Sequence, residues 1–198
     1  MAKPKVIVIA GPNGAGKSTA APGLLRDALG IHEFVNADQI AAGLSAYAPQ
    51  TVAFEAGRIM LRRLHSLAAQ KASFAFESTL ASRTFAPFLR QLKAQDYEVE
   101  LFYLPLPSAQ VAIERVAFRV RRGGHDIPRK DIERRYERSL RNVFNLYLPI
   151  VDRADFIDNA DGKLRRIASI KNLPSGTVVE VKQKATWLNL QRQLNRPA

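Results

Sequence analysis

Eight consecutive residues carry the clearest chemistry in this chain. Gly11-Pro12-Asn13-Gly14-Ala15-Gly16-Lys17-Ser18 satisfies G-x-x-x-x-G-K-[ST] at every fixed position. The three glycines let the backbone turn tightly, so that consecutive N–H groups line a concave anion site. A helix beginning near Gly16 aims its positive end at the same point. Lys17 can reach the β- and γ-phosphates of a nucleotide, and the Ser18 hydroxyl can ligate Mg²⁺. Residues Gly11, Pro12, Asn13, Gly14, Ala15, Gly16, Lys17, Ser18 and Thr19 therefore read as one nucleotide-phosphate site.

Two acids fall where such a site needs them. Asp38 follows a short apolar run, and ligands in open α/β sheets gather at the carboxyl ends of strands. Asp38 can be a helix N-cap, a magnesium ligand, or the base that takes the proton of an acceptor hydroxyl. Its place after a strand favours the active site, with Asn36 as a capping or orienting neighbour. Glu77 closes another strand candidate and fits substrate or metal binding better than a solvated loop. Ser78, Thr79 and Arg83 beside it can hydrogen-bond a polar substrate or simply line a surface loop.

A third feature is charge. Arginines crowd the stretch from Arg115 to Arg141, against Asp126, Asp131, Glu133 and Glu137. Arg115, Arg119 and Arg122 share one helix face leading into Gly123-Gly124, and Arg134, Arg135, Arg138 and Arg141 mark the next helix. Two arginine-lined helices joined by a glycine turn resemble a lid closing over ATP. Arg119, Arg122 and Arg135 are the candidate phosphate contacts, the remainder forming a solvated basic face. His125 lies in the turn, and neither His32 nor His65 has ligand spacing to it, so no histidine metal site is expected.

These residues must be held by a frame. Lys5–Ala10 reads as a buried strand, followed by a helix carrying Ala20, Leu24, Leu25 and Ala28. Further strands are expected at residues 32–35, 73–76, 97–104 and 154–157, the last closing the core. Helices are expected near 37, over 51–71 with Phe54, Ile59, Leu61, Leu64 and Leu67 on its inner face, and over 84–94, 108–121 and 128–145. This alternation implies an α/β fold, a P-loop-type parallel sheet flanked by helices and carrying an arginine-rich helical lid. The kinase domain would cover 1–160, with 161–198 a strand–helix extension of the same domain.

Composition narrows the partners. The 198 residues include no cysteine, which excludes disulfides, thiol catalysis and cysteine-bound zinc. No apolar run is long enough to span a membrane, and the six-residue N-terminal run is a strand rather than a signal peptide, so a cytoplasmic place is expected. The formal charge of +12 allows a second reading. A nucleotide-switched protein without kinase activity could bind RNA or DNA phosphates through it. No motif interleaving aromatics with the basic residues supports that reading.

Three further stretches carry a family likeness. VNADQIA (35–41), FESTLASR (76–83) and RVRRGGHDIPRKDIERRYERSLRN (119–142) resemble the zeta-toxin family of P-loop kinases. With the phosphate loop, the resemblance spans about residues 5–159, and its glycine turn is that of the small ATPase-like branch. It implies transfer of the γ-phosphate of ATP or GTP, with Mg²⁺, to a hydroxyl of a nucleotide sugar such as UDP-N-acetylglucosamine. It further implies that Lys17 and Ser18 serve nucleotide and metal, Asp38 activates the acceptor, Glu77 binds it, and arginines near 119–135 steady the moving phosphoryl group. An antitoxin protein is the partner such a resemblance brings with it.

Overall fold

The strand Lys5–Ala10 (β1) is buried along almost its whole length. Such a near-continuous apolar run suits a parallel strand covered on both faces. The computed structural model describes residues 3–27, 29–124 and 126–194. Around β1 the remaining strands are Phe34–Val35 (β2), Phe74–Ser78 (β3), Glu98–Tyr103 (β4), Arg153–Asp158 (β5), Arg165–Leu173 (β6) and Gly176–Val181 (β7). They form one sheet in the order β2-β3-β1-β4-β5-β6-β7. The first five run parallel, and β6 and β7 add an antiparallel hairpin edge.

Strand β6 was not expected, because β5 reads as the last core strand. Its central Ile167, Ala168 and Ile170 are buried, but charged residues at both ends hide the apolar centre. The antiparallel turn has a plain cause. The loops before β6 and β7 are too short for the crossover that a parallel neighbour requires.

The helices are Lys17–Pro22 (α1), Ala37–Leu44 (α2), Ala53–Ala69 (α3), Phe85–Ala94 (α4), Ala109–Arg121 (α5), Arg129–Asn142 (α6) and Lys184–Leu194 (α7). Pro22 lacks the N–H that would continue α1, and a π-type turn over Gly23–Asp27 follows instead of a straight helix. Ala28 and His125 lie outside the described residues. Helix α3 buries Ala56, Met60, Leu64, Leu67 and Ala68, whereas Phe54, expected on that inner face, is 82% exposed. Phe54 falls two residues before the stripe begins and so points elsewhere.

Alternation along β1 splits the core in two. Val6 and Val8 join Phe74, Phe76, Leu64 and Leu89 on one face, while Ile7 and Ile9 join Ala20, Leu25, Ala112 and Val116 on the other. Helix α6 contributes to both, Leu140 to the first and Ile132 to the second. Its buried Ser139 hydroxyl shares a 3.0 Å hydrogen bond with the Tyr103 hydroxyl, fixing α6 against the end of β4.

Candidate active site

The phosphate loop leaves the carboxyl end of β1, with β3 on one side and β4 on the other. Chain order reverses there, which makes it the crevice where open α/β sheets take ligands. Gly11 has φ 149°, and a side chain on it would collide with the Leu104 carbonyl. Gly14 has φ 78°, and a Cβ there would stand 3.0 Å from that of Arg115. Both positions need glycine for conformation and for space.

The side chains of the loop turn inward. Lys17 is 7% exposed; its ammonium donates to the Pro12 carbonyl at 3.1 Å and lies 3.5 Å from Glu77 Oε1. The Ser18 hydroxyl donates to Glu77 Oε2 at 2.7 Å. Asn36 Nδ2 donates to the same oxygen at 2.8 Å. Glu77 therefore reaches back to the phosphate loop and ties β2, β3 and α1 together. Asn36 does double duty, since its Oδ1 caps α2 by accepting from the N–H groups of Asp38 and Gln39. That assignment closes one reading of Asp38. The cap is Asn36, and Asp38 stands in the first turn of α2, exposed to solvent.

Asp38 opens onto a cavity of about 560 Å³ that also receives Asn13, Lys17, Glu77, Thr79 and Arg135. Its opposite wall is apolar, formed by Phe54, Met60, Leu61 and Phe85, with the Arg58 guanidinium 5.4 Å over the Phe54 ring. The loop after β3 is held tightly. Leu80 adopts φ 53°, unusual for a side chain that is fully buried. The Ser78 and Thr79 hydroxyls accept from the N–H groups of Leu80 and Ala81.

The arginines divide. Arg135 reaches the Asp38 cavity from α6. Arg119 is exposed on the last turn of α5, and its carbonyl accepts from the N–H of Gly124. Arg122, also exposed, stacks over the Phe118 ring at 4.8 Å and does not line that cavity. Arg83 faces a neighbouring cavity rather than Asp38. Arg115, not singled out from sequence as a site residue, donates to the carbonyls of Gly14 and Ala160 and so buttresses the phosphate loop. Its helical spacing to Arg119 was visible, but its long-range partners were not.

The residues fit the groups that the motif implies. Asn13 Oδ1 is buried without a partner among the described residues, and Lys17 is a buried cation held by a single carboxylate. A phosphate chain supplies what both lack. No group of three or more His, Asp or Glu gathers into a metal site among the described residues. The Ser18 hydroxyl and the Glu77 carboxylate beside it are oxygen donors of the sparse kind that suits Mg²⁺, which takes few protein ligands and keeps water and substrate phosphates.

Comparison with known proteins agrees with this geometry. The family model described as Zeta toxin matches residues 1–167. An uncharacterized protein of Haemophilus influenzae is 30% identical over 132 residues, covering 67% of this chain and 92% of that protein. Among solved structures, AvrRxo1-ORF1:AvrRxo1-ORF2 with sulphate ions superposes with a TM-score of 0.76 at 17% identity. That match covers 99% of this chain and 66% of the other, so this chain spans about two thirds of its length. The same complex with ATP gives 0.73. The PezAT toxin–antitoxin system of Streptococcus pneumoniae gives 0.63 at 18% identity, covering 83% of this chain and 71% of that one. No described helix is long and apolar enough to cross a membrane. On the family match and the site that accompanies it, the chain belongs to the zeta toxin family of P-loop kinases.

Proposed function

We propose that the protein transfers the γ-phosphate of ATP to a hydroxyl of a small acceptor, a UDP-sugar such as UDP-N-acetylglucosamine. One observation carries this reading: Asp38 and Lys17 open onto the same cavity, one an exposed carboxylate, the other a buried cation. The phosphate loop cradles the nucleotide, and Lys17 lies against the oxygens where charge develops. Asp38 accepts the proton of the acceptor hydroxyl as its oxygen bonds to the γ-phosphorus and the bond to the ADP oxygen breaks. Arg135 steadies the phosphoryl group; Arg119 and Arg122, which lie outside the cavity in this structure, would join it only if the end of α5 moved inward. Ser18 would hold Mg²⁺, which would supply neutralisation of the phosphate charge there. Glu77 keeps Ser18 and Lys17 in place and, with Thr79, offers polar contacts to the acceptor. The exposed Phe54 ring gives a flat apolar face of the kind on which a base or sugar packs.

Residues 161–198 belong to this same unit in our reading, since β6 and β7 extend the kinase sheet. The partner we propose is an antitoxin protein that blocks the cavity, as the toxin–antitoxin character of the PezAT relative suggests.

The test incubates the protein with γ-labelled ATP, Mg²⁺ and a panel of UDP-sugars, with Asp38→Asn as control. Label on one sugar nucleotide, lost in the variant, is the expected result. Label released only as phosphate in both proteins rules the proposal out.

A further inference from the structure

Helix α6 brings Arg135 to the reaction cavity, yet part of what holds α6 comes from beyond the family match. That match ends at residue 167, before β7 and α7 begin. Trp187, Leu190 and Gln193 recur three residues apart, so they share one face of α7. Trp187 and Leu190 are buried. The Trp187 ring lies 5.0 Å from that of Phe156 on β5 and 5.6 Å from that of Phe144, in the turn that follows α6. Gln193, about 9 Å further along α7, makes the second attachment. Its Oε1 accepts from the Tyr136 hydroxyl at 2.7 Å, and its Nε2 donates to the Pro107 carbonyl at 3.1 Å. The Tyr136 hydroxyl is also 2.9 Å from the Leu106 carbonyl, so its one proton is shared between two acceptors.

One amide therefore joins α7, α6 and the segment that leads into α5. The start of α7 meets the turn after α6 and its end meets the middle of α6, so the two helices run in opposite senses. The core contacts of Ile132 and Leu140 set how deep α6 lies, but apolar burial is not directional and permits a small turn or slide. A hydrogen bond fixes distance and angle. Arg135 leaves α6 about 100° from Tyr136, so any rotation that Tyr136 allows displaces the guanidinium. Neither Tyr136 nor any described residue of α7 lines the Asp38 cavity. Whatever they do for transfer passes through α6.

We infer that Gln193 is a positioning residue for phosphoryl transfer, and that α7 is a strut which, through Gln193 and Tyr136, sets Arg135 in the reaction cavity. The C-terminal stretch thus serves the reaction without touching substrate. The inference rests on the kinase reading for its rate, though the strut can be measured without any transfer.

The experiment compares the full chain with Gln193→Leu, which keeps similar bulk and loses the amide. Without nucleotide, the amides of α6 exchange hydrogen about tenfold faster in the variant, and those of β1 are unchanged. In the transfer assay the single-turnover rate falls about tenfold, while ATP affinity and the acceptor KM stay within about twofold. Gln193→Leu added to Arg135→Ala costs nothing further, since it acts through the side chain already removed. Tyr136→Phe, which keeps the ring in the core, repeats the pattern. Unchanged exchange in α6, losses that add in the double variant, or a fall in ATP affinity with the rate intact each overturns the inference. Faster α6 exchange in a protein that phosphorylates nothing keeps the strut and sinks the kinase reading. Transfer at the wild-type rate in Gln193→Leu does the reverse.

Discussion

The phosphate loop and helix α6 border one cavity but are built on opposite terms. The loop is a backbone device. Its glycines have conformations and clearances that side chains cannot share, and its one cation is buried. Helix α6 is a side-chain device. It anchors Ile132, Tyr136, Ser139 and Leu140 in the core and sends long arginines outward. The first kind of site tolerates almost no substitution, because its backbone conformations and clearances exclude side chains. The second can exchange arginines without disturbing the fold, because Arg134, Arg138 and Arg141 leave the helix on its exposed side.

The comparison breaks most sharply at Lys17. Lys17→Ala should cut single-turnover transfer by about 10³-fold or more, because it removes the cation that meets developing charge. The melting temperature should barely move. Gly11→Ala comes next, and here fold and function fall together. Its Cβ has no room against the Leu104 carbonyl, so we expect a loss of about 3 kcal/mol in urea unfolding, with ATP binding lost alongside. Arg135→Ala sharpens the contrast from the other side. We expect about a hundredfold loss of transfer with stability unchanged, since the side chain is only half buried.

The smallest effect concerns the tie between the turn that follows α6 and the loop that follows β3. Tyr147→Phe removes the hydrogen bond to the Ser82 carbonyl and should cost about 1 kcal/mol at pH 7. Burial pushes the Tyr147 phenol up from 10.0 to about 12. A raised value means that folding favours the neutral phenol. The stabilisation is complete below pH 10.0 and disappears as the pH rises toward about 12. Denaturation of the variant and wild type should therefore converge between those pH values. A gap that stays constant from pH 7 to 12 would show that the phenol does not behave as a buried group.

The same contrast explains what could be read from sequence. The phosphate loop was legible residue by residue, because its motif is local and each position has one physical requirement. Asp38 and Glu77 were placed by the strand-end rule. That rule located them at the crevice but could not show Glu77 folding back on Ser18, a contact across 59 residues. Arginine positions were legible, yet their directions were not. Arg135 enters the cavity, whereas Arg83 turns into its neighbour and Arg122 stacks on Phe118. Helix phase alone separates such cases poorly when the partners come from distant loops. Phe54 precedes the α3 stripe by two residues, so helical phase turns it off the inner face despite its apolar side chain. Strand β6 was missed because Arg165, Arg166 and Lys171 mask a short apolar centre, which only its pairing with β5 reveals.

The most direct measurement compares Asp38→Asn with wild type in two quantities, ATP affinity and the single-turnover rate of γ-phosphate transfer. The account predicts ATP affinity within about twofold and a transfer rate lower by about 10² to 10⁴, as loss of a general base requires. Wild-type transfer in the variant would contradict it, and so would a collapse of ATP binding, which would move Asp38 from the acceptor to the nucleotide.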